Sequence, residues 1–125
     1  MRVARLAGMA GICFALAGCG QPGFEEKLAI SKANIATEEG KAYDAVLSQA
    51  LSVAGEDIIA CYRANPGKKD AHGFFEFDDK GYTVTMRPQD AFTDCLEKAM
   101  EGRVLPPPPR TPYLNYASFV YTPKQ

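Results

Sequence analysis

The chain has 125 residues, 46% of them apolar and 23% charged, with a formal net charge of −1. That length suits one globular domain of roughly 100–150 residues, and the balanced charge excludes nucleic-acid binding through bulk electrostatics, which needs a strong basic excess. One histidine and four cysteines leave little material for a catalytic metal site.

The chain opens with Arg2 and Arg5, and Leu6 to Ala17 follows without a charge and is mostly apolar. This is the layout of a secretory signal, and the run is shorter than the roughly 20 residues a bilayer span needs. Leu16-Ala17-Gly18-Cys19 resembles the lipobox of bacterial lipoproteins. The resemblance implies that residues 1–18 are a signal peptide and that Cys19 is the lipidation site, carrying a diacylglyceryl thioether and an acylated amino group. Several acyl chains anchor stably where one chain is marginal. Gly20 in place of Asp implies sorting to the outer membrane, with the domain facing the periplasm. Cys13 leaves with the signal. Removing Arg2 and Arg5 leaves 12 basic against 15 acidic residues, a charge of −3, which argues against lipid headgroups or DNA as the main partner.

Residues 19–40 read as a lipidated tether and stalk. From Phe24 to Glu39 the chain is rich in Ala, Glu and Lys, with Leu28, Ile30, Ala33, Ile35 and Ala36 only loosely periodic, which reads as a weak helix or a partly ordered stalk broken at Gly40. The folded domain is expected over residues 41–125. Tyr43, Val46, Leu47, Ala50, Leu51, Ala54, Ile58, Cys61 and Tyr62 form an apolar helical stripe that predicts one helix from about Lys41 to Ala64, stopped by Asn65-Pro66-Gly67. His72 to Phe77 and Tyr82 to Arg87 predict a hairpin around Asp78-Asp79-Lys80-Gly81. Asp90 is the expected N-cap of a second helix, with Phe92, Cys95, Leu96, Ala99 and Met100 on its apolar face and Gly102 at its end. Val104 to Pro109 must run extended, and Leu114 to Thr122 predicts a last strand.

This order, with Ile58-Ile-Ala-Cys61-Tyr62, Gly73-Phe-Phe-Glu-Phe77, Asp79-Lys-Gly81, Phe92-Thr-Asp-Cys95-Leu96, Leu105-Pro106 and Phe119-Val-Tyr121, resembles a TonB C-terminal-type domain of the disulfide-bearing AgmX-type variant. The similarity covers roughly residues 45–123. It implies an α+β fold: a three-stranded antiparallel sheet with helices on one face, and binding at a sheet edge. A TonB proper spans the membrane by a helix; here a lipid anchor stands in its place, so energy transduction is not implied.

Cys61 and Cys95 are the pair left after lipidation, and in an exported protein an even pair reads as a disulfide. A loop of this length is worth about 3–4 kcal/mol in the chain-entropy model. His72 lacks an oriented nucleophile and reads as a solvated side chain; Asp78-Asp79 reads as turn chemistry and not a calcium loop. Pro106 to Pro109 reads as a rigid crossover, with a ligand for an aromatic groove as the alternative. The last strand, as an edge, offers Leu114, Tyr116, Ala117, Phe119 and Tyr121 to an extended peptide. The expected function is a non-catalytic protein- or peptide-interaction module on a lipid anchor, with no cofactor, no metal, no nucleic acid and no small-molecule substrate. The alternative is a structural or assembly lipoprotein, bound through its helical stalk to a larger envelope complex.

Overall fold

A computed structural model describes residues 23–124. The signal, Cys13 and Cys19 lie outside the described residues. Helices α1 (Phe24–Ala36) and α2 (Glu38–Leu51), a 3-10 turn (Ser52–Ala54) and α3 (Gly55–Ala64) precede strands β1 (Lys69–Phe77) and β2 (Tyr82–Arg87). Helix α4 (Ala91–Met100) and strand β3 (Tyr113–Tyr121) complete the fold. The sheet is antiparallel throughout, in the order β2-β1-β3, so β1 is central and β3 is an edge. The α+β class, the helix-strand-strand-helix-strand order and the three-stranded sheet are as the sequence predicts.

Alternation along the strands divides the sheet into two faces. Ala71, Phe75 and Phe77 of β1, Val84 and Met86 of β2 and Tyr113 of β3 enter one core with Tyr43, Leu47 and Cys61 from α2 and α3 and with Phe92, Leu96 and Met100 from α4. Asp90 caps α4 as expected: its Oδ1 accepts from the Thr93 amide at 2.8 Å, and Thr93 Oγ1 accepts in return from the Asp90 amide at 3.0 Å. Gly102, just beyond the C-cap, takes φ +72°, the left-handed conformation that ends the helix.

The helix predicted over Lys41–Ala64 is two helices joined by the 3-10 turn. A straight helix from Glu38 to Ala64 would run about 40 Å, whereas a nine-residue strand spans about 30 Å. The turn lets the chain follow the sheet, with Tyr43 against Phe77 and Tyr113 at one end and Tyr62 against Tyr121 at the other. The Ser52 hydroxyl donates to the Gln49 carbonyl at 2.7 Å within this bend.

Of the two readings of residues 24–39, the helix is the one the structure has, and it is docked on the sheet and not a free stalk. Helix α1 lies on the opposite face of the sheet: Phe24 packs on Phe74 with ring centroids 5.3 Å apart, and Lys27 pairs with Glu76 at 3.0 Å. The break falls at Thr37, extended at ψ 161°, whose hydroxyl accepts from the Gly40 amide and caps α2. Gly40 lies inside α2 because α1 and α2 meet there: a Cβ would sit 1.7 Å from the Asn34 carbonyl oxygen.

Candidate functional site

The disulfide is in place. Cys61 of α3 and Cys95 of α4 are bonded, with Cα atoms 5.6 Å apart, and Cys61 is fully buried. The bond staples the two helices that share one face of the sheet, which is a structural role.

The residues of the edge strand divide by face. Ala117, Phe119 and Tyr121 lie on the side of α2 and α3, and Leu114 and Tyr116 on the side of α1. The strand's open side is legible from its hydrogen bonds. The Asn34 Nδ2 donates to the Leu114 carbonyl at 2.8 Å, and the Asn115 Nδ2 to the Tyr116 carbonyl at 3.2 Å. At the far edge of the sheet the Met86 amide donates outward to Glu97 at 2.8 Å. These three contacts fix the ladder's phase: Tyr113, Asn115, Ala117 and Phe119 pair with β1, whereas Leu114, Tyr116, Ser118 and Val120 turn their backbone groups outward. Two outward carbonyls are already capped by side-chain amides; Ser118 and Val120 present the uncapped part of the edge.

This stretch borders a groove of about 630 Å³ between β3 and the bent α2–α3 helix pair. Leu47, Leu51, Ile58, Ile59 and Phe119 supply its apolar lining, Phe75 contributes from the central strand, Ile35 of α1 closes the end nearest Asn115, and Asp44 is its one charged lining residue. Asn115 is buried at the base and donates from Nδ2 to Asp44 Oδ1 at 2.9 Å. Both Nδ2 partners are acceptors, which fixes the amide orientation and leaves Oδ1 without a donor among the described residues.

The sequence reading missed Asp44, Asn115 and the apolar helical wall. A signal for Asn115 existed: it is the polar residue in the inward series Tyr113, Asn115, Ala117, Phe119, where period-two patterning expects apolar side chains. Nothing local marks Asp44, which meets Asn115 across 71 positions.

His72, read as solvated, is held between two partners on the α1 face. With Nε2 protonated, the ring donates to Asp70 at 2.7 Å, and Nδ1 accepts from the Tyr116 hydroxyl. Lys32 lies over the Tyr116 ring, 5.4 Å from its centroid. The group ties β1 to β3 at the half-exposed surface.

Two buried phenols, Tyr43 and Tyr113, belong to the core, and the half-buried Tyr62 packs against it. Burial, reinforced by the neighbouring Tyr113, pushes the Tyr43 hydroxyl up to about 12. Burial also raises Tyr62 and Tyr113; for Tyr113, Arg110 opposes the shift while Glu39 and Asp44 add to it. All three serve packing, and Tyr43 donates to the Pro106 carbonyl at 2.7 Å.

Among the described residues no helix is long and apolar enough to cross a membrane. No protein-family model, curated protein or solved structure matches this chain.

Proposed function

We propose that the protein is a lipid-anchored, periplasm-facing module that binds an extended segment of another envelope protein by adding it to β3 as a fourth strand. The observation that carries this reading is the open edge at Ser118 and Val120 running beside an apolar groove. An edge supplies backbone hydrogen bonds to an incoming strand, and pockets beside it select alternate side chains. The lipobox-like Cys19, the short basic and apolar leader before it and the resemblance of residues 45–123 to TonB C-terminal-type domains support the anchor and the mode of binding. The docking of α1 on the sheet favours this reading over assembly through a free helical stalk.

Ladder phase dictates the test. Proline at Ala117 or Phe119 would break pairing with β1, so the informative positions are those whose amides face outward. Panning a displayed library of extended octapeptides against the full-length chain in detergent is expected to enrich binders that fail on Ser118→Pro while that variant keeps its far-UV spectrum. Binders that hold the folded Ser118→Pro variant equally well would overturn the edge reading. For the anchor, labelled palmitate is expected to enter the wild type and not Cys19→Ser.

A further inference from the structure

The groove beside β3 is apolar but not neutral, and its charge has one sign. Asp44 lines it, and among the described residues no cationic group lies within ion-pair distance of Asp44. Its one hydrogen-bond donor is the uncharged Asn115 amide. The helical wall carries Glu38, Glu39, Asp44, Glu56 and Asp57 against Lys41 and Arg63, and β3 itself has no charged residue from Tyr113 to Tyr121. Of these acids Glu39 and Asp57 are paired, to Arg110 and Arg103 respectively. A carboxylate bordering apolar surface, without a cation of its own, is complementary to a cation that arrives with the ligand.

Resting on the edge-strand reading above, we infer that the groove selects extended peptides with two apolar side chains followed by a lysine or arginine on one face, in the pattern apolar-x-apolar-x-basic. The spacing follows from the sheet. A strand added at the uncapped edge sets its helix-side residues opposite Tyr121, Phe119 and Ala117, about 7 Å apart for each two-residue step. Asp44 stands one step further, at Asn115, so a long basic side chain opposite Ala117 is the one that reaches toward it. The helix pair runs alongside β3 from Tyr43 at Tyr113 to Tyr62 at Tyr121. Ile58 and Ile59, four and three residues before Tyr62, therefore wall the Phe119 end, where the apolar side chains fall. An incoming strand antiparallel to β3, the slightly more stable pairing, reaches Tyr121 first and Ala117 last. That direction puts the basic residue at the C-terminal end of the motif.

The test uses fluorescein-labelled, end-blocked heptapeptides of sequence Thr-Val-Thr-Val-Thr-Lys-Thr, with glutamine or glutamate replacing lysine in two controls. Their affinities are read by fluorescence anisotropy on the full-length chain in detergent at low salt. The lysine peptide is expected to bind at least about fivefold tighter than the glutamine peptide, with the glutamate peptide weakest. Asp44→Asn, and Asp44→Ser as a second variant, should bring the lysine and glutamine peptides within about twofold; Ser118→Pro should lose all three. Equal binding of the three peptides to the wild type, all lost in Ser118→Pro, would overturn the charge selection and leave the edge reading standing. A lysine preference that survives in both folded Asp44 variants would equally overturn it. No binding by any peptide would overturn the edge reading and this inference together.

Discussion

The Tyr43 hydroxyl donates to the Pro106 carbonyl at 2.7 Å, so a buried phenol on α2 holds the proline-rich crossover that delivers the chain into β3. Burial and Tyr113 push its pKa up to about 12, against 10 for an ordinary phenol. The fold therefore keeps the proton while the unfolded chain loses it. This part of the stability is complete below pH 10 and is lost as the pH rises from 10 towards 12. The expected loss is about 1–2 kcal/mol over that window. Tyr43→Phe should cost about 1 kcal/mol at pH 7 through the missing hydrogen bond and show a flatter decline above pH 10. Urea denaturation at pH 7, 9, 10 and 11 checks both. A variant whose decline matches the wild type would assign the alkaline loss elsewhere.

Gly40 and Gly55 are both helical glycines, yet substitution should act in opposite directions. At Gly40 an added Cβ lies 1.7 Å from the Asn34 oxygen and 2.6 Å from its carbonyl carbon, both backbone atoms that retreat only if α1 leaves α2. At Gly55 nothing lies within 4 Å. Gly40→Ala is expected to cost about 2–3 kcal/mol and to increase amide exchange in α1. Gly55→Ala should stabilise by about 0.5–1 kcal/mol, because the unfolded chain has less freedom to lose. Thermal melts of the two variants side by side decide it.

Cys61–Cys95 closes 34 positions of chain between two helices on one face. Reduction, or Cys61→Ala with Cys95→Ala, should lower stability by about 3–4 kcal/mol and Tm by at least about 10 °C. Equal melting with and without reductant would show that the thiols are not joined in the folded protein.

Much of the fold is legible in local pattern. The stripes at three- and four-residue steps locate α2, α3 and α4, the period-two runs locate the strands, and Asp90 and Gly102 mark the ends of α4, because each of these signals acts within one or two turns of chain. Helix α1 is poorly legible for a physical reason. It docks largely through Phe24, the Lys27–Glu76 pair and the Asn34 amide, and polar anchors leave no hydrophobic stripe.

The groove was out of reach of such patterns. The stripe over residues 43–62 reads the same for one straight helix as for two joined by a turn, and the choice is made by the length of the sheet beneath. The edge position of β3 follows from topology, but which of its amides face outward depends on the phase of the ladder, and that phase shows through Asn34, Asn115 and Glu97. Composition and period accordingly settled the strands, α4, the order of helical and extended segments and the two cysteines available for a staple, since these depend on neighbours in the chain. The acid in the groove, the buried amide beside it and the face that α1 covers arise from contacts between residues tens of positions apart, which no local preference encodes.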